Sequence, residues 1–102
     1  MLDELLILKK IKGGDIKAFE ELFRRYYFPL CCYAAGITGQ MEVAEEIVEE
    51  LFYVLWKERE RLQIFQSVKS YLYRATRNQS LQYCEHEEVR NRYRETVLTT
   101  SN

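Results

Sequence analysis

The chain has 102 residues, 47% hydrophobic and 30% charged, the balance of a soluble globular protein and enough for one small domain with a single core. Its formal net charge of −1 excludes a generally basic nucleic-acid coat and restricts any contact with nucleic acid to a local patch. Four glycines and one proline leave little material for the turns of a β-sandwich, and the apolar spacing is helical throughout. The expected fold is therefore all-α, a compact bundle of four or more helices.

The three cysteines are an odd number, and Cys31 and Cys32 are adjacent. Neighbouring cysteines rarely bridge, so free thiols in a reducing cytoplasm are expected. One histidine, His86, and no Cys-x-x-Cys pair argue against a structural zinc site. No metal or cofactor is expected. No apolar run approaches the roughly 20 residues of a membrane span, and the amino terminus is not a signal peptide.

In chain order, Leu2 to Lys12 predicts a short amphipathic helix with Leu5, Leu8 and Ile11 along one side. Lys9, Lys10 and Lys12 suit its carboxyl dipole, and Gly13-Gly14 stops it. Asp15 caps a second helix whose stripe is Ile16, Phe19, Leu22, Phe23, Tyr26 and Leu30, running on towards Tyr33 and Ala34. Pro29 should kink it, having no N–H to donate. Gly36-Ile-Thr-Gly39 reads as the turn. A third helix is predicted from Met41 to Arg61, with Ala44, Ile47, Val48, Leu51 and Leu55 on one stripe and Phe52 and Trp56 beside it. Glu42, Glu45, Glu46, Glu49 and Glu50 make its opposite face acidic. The connection Leu62 to Gln66 holds Ile64 and Phe65, which either plug the core or await a ligand.

Ser67 to Cys84 reads as a fourth helix capped by the Ser67 hydroxyl. Val68, Leu72, Ala75, Gln79 and Tyr83 share one side and should face the core. The other sides carry Lys69, Tyr73, Arg74, Arg77 and Asn78, and no acidic residue occurs in the stretch. Cations interleaved with aromatic rings suit phosphates and unstacked bases together. On these residues alone a merely solvated face that lacks acids is equally admissible. Glu85 to Glu95 is helix-permissive and highly charged, and Leu98 to Asn102 should fray.

The materials of an enzyme are missing from this pattern. A nucleophile would need an oriented base, and His86, the one candidate, lies in a charged segment with nothing local to orient it. The glutamates of the third helix lack a Glu-x-x-His partner for a di-metal bundle site. No phosphate-cradling glycine loop is present, since Gly13-Gly14 serves as a helix stop. Catalysis is not expected.

Three stretches in order resemble one family, the sigma-70 family of bacterial transcription initiation factors, and within it the extracytoplasmic-function group. Gly14-Asp-Ile-Lys-Ala-Phe-Glu-Glu-Leu-Phe-Arg-Arg-Tyr-Tyr27 resembles the opening of the family's second conserved region. Glu45-Glu-Ile-Val-Glu-Glu-Leu-Phe-Tyr-Val-Leu-Trp56 resembles its polymerase-binding helix, and Ser70-Tyr-Leu-Tyr-Arg-Ala-Thr-Arg-Asn78 its Trp-Leu-Tyr-Arg-Ile-Ala-Arg-Asn pattern. The likeness covers about residues 13–84.

The resemblance implies that the acidic third helix binds a coiled coil of the β′ subunit of core RNA polymerase through Glu45, Val48, Glu49, Glu50 and Phe52. An acidic rim around an apolar centre suits steered docking on a basic partner. It also implies that the fourth helix engages the single-stranded non-template minus-ten element of promoter DNA. Lys69, Arg74 and Arg77 would hold phosphates, Tyr73 and Asn78 would lie near an unstacked base, and Ile64 or Phe65 would wall its pocket. An anti-sigma factor is a further candidate partner. The rival reading is a protein-interaction module that binds polymerase or a regulator without promoter recognition. Three departures stand out. Glu49 replaces a common Gln, Cys84 to Glu88 is acidic where many relatives are basic, and residues 85–102 are too short to supply the family's helix-turn-helix domain. The chain is accordingly either a fragment of a longer protein or a stand-alone relative, and a fragment is expected.

Overall fold

The computed structural model describes residues 3–63 and 67–100. Four α-helices and one short 3₁₀ turn make up the described fold: α1 (Glu4–Lys12), α2 (Ile16–Thr38), α3 (Met41–Lys57), the 3₁₀ turn Arg59–Arg61, and α4 (Val68–Thr100). The all-α expectation holds. The expected plug of Ile64 and Phe65 lies outside the described residues.

Each helix start has a local cause. Asp3 accepts the Leu5 N–H at 3.3 Å to open α1. Asp15 Oδ1 accepts from the N–H groups of Lys17 at 3.0 Å and Ala18 at 3.2 Å to open α2. Ser67 Oγ accepts from Ser70 N at 3.3 Å at the head of α4. Side-chain oxygens thus satisfy backbone donors that the first helical turn leaves free. Between α1 and α2, Gly14 sits at φ +92°, a left-handed conformation that glycine adopts without a steric penalty.

The second helix is the hub and packs against α1, α3 and α4. It runs unbroken past Pro29, which lies on its exposed side, and ends two residues beyond the expected turn residue Gly36. The glycine that ends it is Gly39, at φ +78°, whose N–H reaches the Ala35 carbonyl at 2.8 Å. Thr38 Oγ1 donates to the Ala34 carbonyl at 3.0 Å and accepts from Gln40 N at 3.3 Å, closing the corner. Gly36 and Ile37 are therefore helical, because the left-handed turn needs only one glycine.

Ile7, Ile11, Leu22, Leu30, Ala34, Ala44, Val48 and Leu72 are fully buried and form the centre of the core. On α1 the inward residues are Ile7, Leu8 and Ile11, while Leu5 is exposed. On α2, Ala18 takes an inward place and Ile16 is exposed. A network outside the apolar core ties α1 to α2. Glu4 Oε2 accepts from Arg25 at 3.2 Å and from the Tyr26 hydroxyl at 2.6 Å, and Arg25 also reaches Glu21 at 3.0 Å.

The inward line of α4 is Val68, Leu72, Thr76 and Ser80, not the expected Val68, Leu72, Ala75, Gln79 and Tyr83. Thr76 Oγ1 donates to the Leu72 carbonyl at 2.8 Å and Ser80 Oγ to the Thr76 carbonyl at 2.7 Å. Each buried hydroxyl satisfies itself one turn back, so burial costs little. Ala75 and Tyr83 are half-buried and Gln79 is exposed; all three border α3 instead. The charged segment after Cys84 continues the same helix to Thr100, giving 33 residues, about 50 Å of helix at ~1.5 Å per residue. Leu98 to Thr100, expected to fray, belong to it.

Candidate acidic and nucleic-acid-binding faces

The α3 helix separates its chemistry by face. Ala44, Val48, Phe52 and Leu55 point into the core, whereas Glu42, Glu45, Glu46, Glu49 and Glu50 are exposed. Val48 at 0% exposure and Phe52 at 2% cannot meet a partner surface. Their expected contact role is corrected to a supporting one, since an i, i+4 apolar pair on an amphipathic helix is drawn into the core. Phe52 is held edge-on by Phe19 at 6.1 Å and Phe23 at 5.1 Å between ring centroids. The outward neighbours of the glutamates are Tyr53 and Val54, both exposed. Sequence periodicity placed the acids correctly and passed over these two.

Among the described residues, one acid of α3 has a hydrogen-bond partner inside the domain. Glu49 Oε2 accepts the Tyr27 hydroxyl at 3.1 Å. Burial, and then this bond, pushes the Tyr27 hydroxyl well above the usual tyrosine range, so it stays protonated as a donor. Burial likewise pushes the neighbouring Cys31 thiol up. Cys31 is buried, Cys32 exposed and Cys84 half-buried, and all three are free thiols. Beyond α3, Arg59 stacks over Trp56 at 4.4 Å and donates to its carbonyl at 3.0 Å, which fixes the 3₁₀ turn.

The predicted strand-binding residues of α4 divide into two groups. Lys69, Tyr73 and Arg77 follow one another at intervals of four and drift by only about 40° per step around the helix. Arg74 and Asn78 form the adjacent line. Tyr73 and Asn78, expected beside one base, stand about 140° apart on an ideal helix. Asn78 borders the groove with α3, while the Tyr73 ring meets Tyr33 of α2 edge-on at 5.1 Å. Lys69, Arg74, Arg77 and Asn78 are exposed and Tyr73 is half-buried. Among the described residues, none of the three cations forms an ion pair. Ile64 and Phe65, expected in the pocket wall, lie outside the described residues.

Between α3 and α4 runs an open groove of about 580 Å³, floored by Ile47, Leu51 and Ala75 and rimmed by Glu46 and Glu50. Tyr71, 40% exposed, stands on its α4 side. Five exposed acids thus line α3, and Lys69, Arg74 and Arg77 stand exposed on α4. Among the described residues no helix is long and apolar enough to cross a membrane.

A protein-family model, Sigma-70 region 2, matches residues 22–89. Among solved structures, the fold is similar to an engineered region 2 of sigmaE, determined by NMR in complex with GTAAAA, with a TM-score of 0.73. The two chains are 21% identical, and the match covers 87% of this chain and 93% of that one. None of the curated proteins matches the sequence.

Proposed function

The chain belongs to the Sigma-70 region 2 family, and on that premise we propose that it joins core RNA polymerase to the melted promoter strand during transcription initiation, in the manner of an extracytoplasmic-function sigma factor. The observation that carries this reading is the separation of charge between two faces. Glu45, Glu49 and Glu50 stand outward on α3, over the buried Val48 and Phe52 that anchor the helix in the core. A ring of carboxylates of this kind steers and docks a basic coiled coil such as that of the β′ subunit.

The second face belongs to α4. Lys69, Arg74 and Arg77 carry unpaired positive charge for phosphates, Tyr73 offers a ring for stacking, and Asn78 an amide for a base edge. Extruding a base costs a few kcal/mol, and stacking it on an aromatic ring returns about 1–3 kcal/mol, so strand capture can open a flexible step without a nucleotide cofactor. DNA bound at the acidic face would meet repulsion, which confines the strand to the α4 side. The domain acts by binding, in the cytoplasm, with no chemical step of its own.

The test is retention of the domain by a β′ coiled-coil fragment, comparing wild type with Glu45→Lys and Glu50→Lys. Retention that both reversals weaken supports the reading; no retention of a folded wild-type domain overturns it. A second reading is favoured by the α3–α4 groove, whose apolar floor and acidic rim suit a protein segment, such as part of an anti-sigma factor. On that reading the domain is an interaction module without strand binding. Reversing Arg74 and Arg77 to Glu separates the two. Loss of strand binding with polymerase binding intact supports the first, and no change in either supports the second.

A further inference from the structure

Two segments of the chain are free of acidic residues, and the fold sets them side by side. One is Ser67 to Cys84 on α4; the other runs from Leu22 to Met41, which is most of α2. They meet where Tyr33 and Tyr73 pack edge-to-face, with centroids 5.1 Å apart and ring planes at 67°. Both tyrosines are half-buried, so each keeps part of its surface towards solvent.

The ground around Tyr33 is low. Pro29 lies one turn before it and Gly36 one turn after it, and both are exposed. A side-chain carbon added at Gly36 would meet nothing within 4 Å. On the α4 side, Lys69 and Arg77 bracket Tyr73 at one turn on either side. Two rings at an angle, open approach, and cations at about one helical pitch to each side make a site for a planar base with phosphates flanking it.

We propose that Tyr33 of α2 belongs to the strand-binding surface, forming with Tyr73 a two-ring stacking site for one unpaired base of single-stranded DNA whose flanking phosphates lie on Lys69 and Arg77. This rests on the strand-binding reading given above and adds a residue from a helix that reading does not use. The site carries no sequence information of its own, because every base presents a π-face. It sets where along the strand the protein holds, and leaves base choice to polar groups elsewhere.

The test is titration of the intact chain with the single-stranded hexamer GTAAAA, carrying 2-aminopurine at each adenine position in turn, across a range of salt concentrations. Tyr33→Leu should weaken binding about tenfold, within the range expected for loss of one stacked base, and leave the salt slope unchanged. Tyr33→Phe should bind like wild type. Arg77→Ala should weaken binding and lower the slope by about 0.7 for the one phosphate lost. Quenching of 2-aminopurine at one position should persist in Tyr33→Phe and vanish in Tyr33→Leu. In the wild-type chain, which needs no substitution, the Tyr33 ring protons should shift on adding the hexamer. Tyr33→Leu binding like wild type while Arg77→Ala is weakened, or unmoved Tyr33 ring protons in a bound complex, would overturn the role of Tyr33 and leave the strand-binding reading standing. No binding by the wild-type chain would overturn both.

Discussion

The Tyr26 hydroxyl donates to Glu4 Oε2 at 2.6 Å, across the corner between α1 and α2. Burial, followed by this bond to a carboxylate, pushes the Tyr26 hydroxyl up to about 12. The bond ties the first turn of the nine-residue α1 to the hub helix, and Arg25 donates to the same carboxylate at 3.2 Å. The docking of α1 therefore depends on a protonated tyrosine.

That dependence has a definite pH signature. Above pH 10.0, its ordinary value, an unfolded Tyr26 gives up its proton, while the folded one keeps it to about 12. Unfolding then releases a proton, so the stabilisation is full below pH 10.0 and is lost as pH rises towards 12. Denaturant melts should show stability falling over this window. In Tyr26→Phe the fall should be shallower, with stability at neutral pH lower by about 1–2 kcal/mol from the lost charge-assisted bond. Equal alkaline slopes in the two proteins would contradict the assignment.

Along α3 the outward and inward residues should separate in two different assays. Phe52→Ala removes a ring gripped by Phe19 and Phe23 and should cost about 3–5 kcal/mol of stability. Glu50 is exposed and makes no hydrogen bond or ion pair among the described residues, so Glu50→Lys should change stability by no more than about 0.5 kcal/mol. Polymerase retention should respond in the reverse order once only folded protein is compared. Thermal melts beside the pull-down check both halves.

Helix number, the caps at Asp15 and Ser67, and the acidic face of α3 were legible in the sequence because each is written in local chemistry. An oxygen three residues before a free N–H, or carboxylates at helical spacing, needs no tertiary partner to be recognised. The inward line of α4 was not legible in the same way. Hydropathy favours Ala75 and Tyr83 over Thr76 and Ser80, yet the two hydroxyls bury at no polar cost by bonding one turn back. Val48 and Phe52 were read as contacts because they lie inside a recognised motif, while their i, i+4 spacing already marked them as core. Tyr33 shows in the sequence only as an extension of the α2 stripe, since its meeting with Tyr73 spans 40 residues and exists only once α2 and α4 pack.

The two glycines near the end of α2 should answer an alanine substitution with opposite signs. Gly36 is helical and exposed, and a Cβ there meets nothing within 4 Å. Gly36→Ala should stabilise by about 0.5–1 kcal/mol through helix propensity and a less free unfolded chain. Gly39 stands at φ +78°, where an L side chain is strained, so Gly39→Ala should destabilise by about 1 kcal/mol. Paired denaturant melts give the two signs directly.

The buried hydroxyls of α4 make the sharpest test of its orientation. Ser80 is fully buried, with its hydroxyl spent on the Thr76 carbonyl, so the space around it is sized for one small side chain. Ser80→Leu should overpack the core and cost about 1–3 kcal/mol. Gln79→Leu, one residue away on an exposed position, should cost less than about 0.5 kcal/mol. The expectation from hydropathy alone is the reverse, because Gln79 then faces the core and gains from an apolar replacement. Thr76→Val keeps the shape and removes a hydroxyl whose acceptor already serves the helix ladder, so it should stay within about 1 kcal/mol of wild type. Equilibrium unfolding of the three variants decides between the two orientations. A destabilised Gln79→Leu beside a tolerated Ser80→Leu would turn the helix by one residue and move Tyr73 away from Tyr33.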